Sequence, residues 1–106
     1  MIKYLTTPVI SMLVLMSSAQ AADIARGKAK SVTCAACHGV DGNSAVPTFP
    51  RLAGQNEDYL AHSLRAYQKG TRKNDIMKGM AAALTPADIE DLAAYFGSQQ
   101  GLIVKK

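Results

Sequence analysis

Two cysteines separated by two residues and followed at once by a histidine, Cys34-Ala35-Ala36-Cys37-His38, carry the reactive chemistry of this 106-residue chain. They are its only cysteines. Thiols at that spacing sit along one short turn, where each can add to a vinyl group of a tetrapyrrole, and the adjacent histidine can bring Nε2 under the ring as an axial ligand to iron. The motif therefore predicts one haem c, covalently attached through Cys34 and Cys37, with His38 as proximal ligand. A thioredoxin-like dithiol needs strands alternating with helices around the motif, and the sequence offers none. Structural zinc wants four ligands, whereas the soft donors are Cys34, Cys37, His38 and the distant His62. A plain Cys34–Cys37 disulfide leaves the histidine unexplained.

The sixth coordination position decides between electron transfer and chemistry at an open iron, such as gas binding or peroxide reactions. Met77, Met80 and His62 are the candidates. A soft thioether favours ferrous iron and suits an electron carrier. His62 falls within a helical pattern, on a face set off from Leu60, Leu64 and Tyr67, which reads as a partly exposed helix residue. Met77 and Met80 stand at i, i+3 in an apolar stretch where methionine is by default core filler. Spacing alone does not choose between them.

Helices must position these groups. Asp23 is an N-cap for a helix running to about Val32, with Gly27 thinning one face for a close-packed neighbour. From Gly39 to Gly54 the chain is irregular, with a turn at Asp41-Gly42 and interruptions at Pro47, Pro50 and Gly54. Asn56 caps a second helix that carries Glu57 and Asp58 in its first turn, Leu60, Leu64 and Tyr67 at helical spacing, and Lys69 and Gly70 at its end. Thr71 to Leu84 has the character of a linker. Thr85-Pro86-Ala87-Asp88 opens the last helix with a capping pattern, and Ile89, Leu92, Ala93 and Phe96 form its core-facing stripe up to an end near Gly97. There is no internal repeat, no low-complexity segment and no convincing strand.

The first 21 residues combine a basic start at Lys3, an apolar run from Tyr4 to Met16 broken by Pro8, and small residues ending in Ala19-Gln20-Ala21. This is the pattern of a secretory signal peptide cut after Ala21, and the run is too short for a membrane span. The domains are then a signal peptide over 1–21 and a mature domain over 22–106, with no membrane span after cleavage. A domain of that size builds only a modest core, which a covalently held haem would complete. The formal charge of +4 belongs mostly to the mature part. Two haem propionates would bring it near neutrality, so nucleic-acid binding is not indicated.

The segments Cys34-Ala-Ala-Cys-His-Gly-Val-Asp-Gly-Asn-Ser44, Phe49-Pro-Arg-Leu-Ala-Gly-Gln55, Tyr59-Leu60 and Leu84-Thr-Pro-Ala-Asp-Ile-Glu-Asp-Leu-Ala-Ala-Tyr-Phe96 cover much of the mature domain. Together they resemble the class I monohaem cytochromes c, of the small bacterial periplasmic kind whose fold also recurs as each half of some dihaem cytochromes. The resemblance implies an all-α cytochrome c fold with helices wrapped around one covalently attached haem. It implies Met77 as the sixth ligand, since the family's methionine stands seven residues before the leucine that opens the last helix motif, here Leu84. Met80 then matches an apolar neighbour. Pro50, twelve residues after His38, matches the proline whose carbonyl accepts the bond from the proximal histidine's Nδ1. Gly27 and Tyr95 match the crossing of the first and last helices.

What the resemblance implies for function is a periplasmic one-electron carrier rather than an enzyme, a monomer that shuttles electrons between respiratory redox partners met transiently. The alternative is a haem c subunit of a periplasmic oxidoreductase complex. Lys69, Arg72, Lys73 and Lys78 flank the methionine segment and form a candidate basic rim for an acidic redox protein. The tail from Gly101 to Lys106 is too short to cross a membrane.

Overall fold

Asp23 starts the fold by accepting the amide of Arg26 at 2.9 Å, which satisfies one of the orphan donors of the first turn. The computed structural model describes residues 2–13 and 21–101. Within them five helices follow in order: α1 (Ile24–Lys30), α2 (Val32–His38), α3 (Glu57–Lys69), α4 (Asp75–Ala81) and α5 (Pro86–Ser98). No strand occurs among the described residues.

The first helix is broken where the sequence suggests continuity. Ser31 turns its hydroxyl back onto the Lys28 carbonyl at 2.7 Å, the type of side-chain competition that interrupts a helical ladder, and α2 begins one residue later. The cysteine pair and His38 consequently lie in a helix of their own rather than in a single turn. Gly39 ends it at φ 85°, a backbone conformation that side chains disfavour.

Asn56 accepts the amides of Asp58 and Tyr59 and starts α3 where the sequence places it. At α5, Thr85 and Asp88 form a reciprocal capping box and Pro86 occupies the first turn. The helix runs to Ser98, one residue beyond Gly97. The stretch from Thr71 to Leu84 is more than a linker. Asn74 accepts the Met77 amide at 3.0 Å and Asp75 sits in the first turn, so residues 75–81 form the short helix α4.

The core gathers Leu60 and Ala61 of α3 with Ile89, Leu92, Ala93, Tyr95 and Phe96 of α5. The stripe read from the sequence is thus the buried face of α5. Ile89 and Leu92 are each 1% exposed, and burial of a side chain of that size stabilises by about 2 kcal/mol. Helix α1 packs across α5, α3 packs against α5, and α4 packs against α3. At the α1–α5 crossing a Cβ on Gly27 would collide with the Asp91 carbonyl and lie 2.8 Å from the Tyr95 Cβ, so only glycine permits this approach.

Residues 2–13 carry no helix and add nothing to the core. No described helix is long and apolar enough to cross a membrane. Residues 14–20 of the expected signal peptide, and residues 102–106 of the tail, lie outside the described residues.

Candidate functional site

Helix periodicity brings Cys34 and Cys37, at i and i+3, to one face of α2. Both thiols are free and partly buried, and both line a cleft of about 380 Å³. His38 lines the same cleft and is itself buried. Its Nδ1 lies 2.8 Å from the Pro50 carbonyl, and the Phe49 ring meets the imidazole edge-on at a centroid distance of 6.4 Å. A carbonyl can only accept, so Nδ1 carries the proton and Nε2 keeps its lone pair for a metal. Burial pushes the Cys34 thiol up, which keeps it neutral among its apolar neighbours.

Helix α4 lines the cleft with Met77 and Met80. Met77 is partly buried, whereas Met80 is 44% exposed. Between these donors the lining is apolar, drawn from Leu60 and Leu64 of α3 and Leu92 and Phe96 of α5. The third candidate ligand, His62, is exposed and does not line the cleft; it borders an adjoining open depression with Ala66 and Thr71.

The Arg72 guanidinium lies 4.8 Å from the centre of the Tyr67 ring and donates to the Ser63 hydroxyl at 3.2 Å. It lines the cleft, while Lys69, Lys73 and Lys78 are exposed around the same segment. Arg51 and Gln55, from the loop, also reach the cleft, and sequence reasoning missed both. Both stand in the Phe49–Gln55 segment that carries the resemblance, but no spacing there assigns them a role, and only the folding of the loop over the cleft brings them there. The Asn74 cap was also missed, although asparagine before an acidic residue is a helix-start signal that could have found it.

Two thiols and an imidazole on one short helix, two thioethers on another and an apolar lining between them fit a haem by their donor chemistry. An all-α shell with that donor set defines the class of small haem-attaching proteins. The chain belongs to the cytochrome c family, whose model matches residues 24–100. Covalently bound haem c comes with that family.

Among its relatives, cytochrome c4 of Pseudomonas aeruginosa is 48% identical over 80 residues, covering 76% of this chain and 40% of the relative. Cytochrome c-554(548) of Halomonas halodenitrificans is 46% identical over 83 residues, covering 76% of this chain and 100% of the relative. The crystal structure of reduced recombinant cytochrome c4 from Pseudomonas stutzeri superposes with a TM-score of 0.74 at 46% identity, over 78% of this chain and 48% of that one. Thiosulfate dehydrogenase from Marichromatium purpuratum superposes with a TM-score of 0.70 at 34% identity, over 79% of this chain and 21% of that one. The chain thus spans about half of the cytochromes c4 it matches and corresponds to one monohaem domain, resembling half of such a dihaem protein.

Proposed function

We propose that this protein is a periplasmic one-electron carrier whose single haem c is bound through Cys34 and Cys37, with His38 and Met77 as axial ligands. The observation that carries this reading is that both thiols, the imidazole and the Met77 side chain line one apolar cleft. When bound, the haem supplies a reversible one-electron couple between ferric and ferrous iron.

The protein's own residues set the conditions for that couple. The Pro50 carbonyl fixes the imidazole tautomer and orientation, and it raises the basicity of Nε2. Met77 offers a soft neutral ligand that stabilises the reduced state. Leu60, Leu64, Leu92 and Phe96 give the cleft an apolar lining that would exclude water from a haem held there and so limit the solvent rearrangement between oxidation states. With both axial positions filled from the chain, no substrate reaches the metal and the protein carries electrons rather than performing catalysis. Partly buried Met77 is preferred over Met80 on the family pattern and on its lower exposure.

In this reading residues 1–21 are removed on export and 22–106 form a monomeric carrier that meets acidic redox proteins transiently across Lys69, Arg72, Lys73 and Lys78. A second reading, a haem subunit held in an oxidoreductase complex, is favoured by the likeness to part of a thiosulfate dehydrogenase. Native mass measurement on extracts separates a free chain from a stable complex.

Optical spectra of the purified holoprotein in both oxidation states test the ligand set. A low-spin ferric spectrum with a methionine signature that Met77→Ala abolishes and Met80→Ala retains is the expected result. A high-spin wild-type spectrum overturns the carrier reading. Loss of the signature in Met80→Ala alone moves the ligand to Met80.

A further inference from the structure

Helix α4 carries both methionines of the cleft, yet it is only seven residues long. A helix of that length has no stability of its own and depends on what it is fastened to. Its main helix contact is with α3, and none of the ion pairs among the described residues involves it. Two side-chain amides hold it instead. Asn74 accepts the Met77 amide at the start of α4. At the far end, Gln68 of α3 donates from Nε2 to the Ala81 carbonyl at 3.0 Å and to the Leu84 carbonyl at 2.8 Å. One side-chain nitrogen thus spends both of its hydrogens on the end of α4 and the turn that follows, where helical carbonyls lack partners of their own.

The neighbour of Gln68, Tyr67, lines the cleft, as does Leu64 one turn earlier. Gln68 therefore ties the methionine helix directly to the helix that builds the apolar lining. We infer that Gln68 is a positioning residue that holds α4 closed over the cleft and so keeps Met77 at the iron against competing ligands. This rests on the proposed ligation by Met77.

A thioether is a weak, neutral ligand, and an added base such as imidazole takes its place only in molecules whose methionine has swung away. The apparent affinity for imidazole then scales with the fraction of molecules in which α4 is open. Removing the two donated bonds raises that fraction.

The test is an optical titration of ferric holoprotein with imidazole, in wild type, Gln68→Glu and Gln68→Lys. Glutamate keeps the shape and loses the donors at neutral pH, while lysine restores donors to the two carbonyls. Gln68→Glu is expected to bind imidazole roughly tenfold tighter, the scale of one or two net hydrogen bonds, with Gln68→Lys close to wild type. Amide exchange in residues 75–84 is expected to quicken in Gln68→Glu while α5 keeps its protection.

Equal affinities in all three proteins overturn the assignment, as does Gln68→Lys behaving like Gln68→Glu. Asp91→Asn, which weakens the α1–α5 contact without touching α4, controls for general loosening. A rise in imidazole affinity as large in Asp91→Asn also overturns it. Failure of the ligand reading is seen separately, as a wild-type spectrum that Met77→Ala leaves unchanged.

Discussion

The Tyr95 hydroxyl donates to the Val40 carbonyl at 2.7 Å, which joins the last helix to the loop that leaves the cysteine–histidine helix. Further along, the Gly54 amide donates to the Phe96 carbonyl at 3.0 Å. The loop that presents Pro50 to His38 is therefore fastened to α5 at both ends. Tyr95→Phe keeps the ring against Gly27 and removes only the hydroxyl. It is expected to fold and to lose about 1 kcal/mol, measured by guanidinium unfolding of the holoprotein.

Gly27→Ala places a methyl group against the Asp91 carbonyl and the Tyr95 side chain. Backbone cannot move aside as a flexible side chain can, so α1 must shift off α5. The expected loss is about 2–3 kcal/mol, with α1 amides exchanging faster than those of α3. A variant as stable as wild type would show that the two helices do not cross as closely as described.

Asp91 is 5% exposed and accepts the Asp23 amide at 2.8 Å and the Arg26 Nε at 3.0 Å. The bond from Arg26, followed by the Asp23 amide, holds its carboxyl below the usual carboxylate range. The unfolded chain then binds this proton more readily than the folded one. Stability from Asp91 is fully present above a pH of about 4 and is lost as the pH falls through the lower folded value. Asp91→Asn is expected to lower stability at neutral pH and to flatten the acid limb of a stability–pH curve. The slope shrinks without vanishing, because Asp88 and Asp41 are also held low by hydrogen bonds from Thr85 and Asn43.

Lys73 and Lys78 are exposed beside the methionine helix. Replacing both with glutamate is expected to slow reduction or oxidation by anionic small reagents several-fold at low ionic strength and to speed reaction with cationic ones. The difference should fade above about 0.5 M salt, where charges are screened within a few ångströms. Stopped-flow rates with one reagent of each sign provide the measurement. Rates independent of these charges would remove the basic rim from the docking surface.

Much of the fold is legible in the residues because its signals are local. The Asn56 and Thr85 caps and the Ile89, Leu92, Ala93, Phe96 stripe each sit within a few residues of what they determine. The attachment motif is five consecutive residues. Helix α4 escaped that reading because seven residues with Gly79 among them present no periodic stripe. The bend at Ser31 depends on where one hydroxyl turns, and the bonds of Gln68 reach 13 and 16 residues along the chain, so neither leaves a pattern in sequence. Nor does spacing separate Met77 from Met80, since i, i+3 in a helix gives both the same face and both line the cleft.

The two halves of the cleft differ in how far apart their parts lie along the chain. Cys34, Cys37 and His38 lie within about one turn of α2 and need no distant part of the chain to bring them together, whereas Met77 reaches the cleft only through the packing of α4 against α3. The proposed site thus joins a local half to a half that depends on tertiary packing. The two thioether bonds would ask only for a local stretch of chain, and the methionine sulfur would be the last donor to find its place.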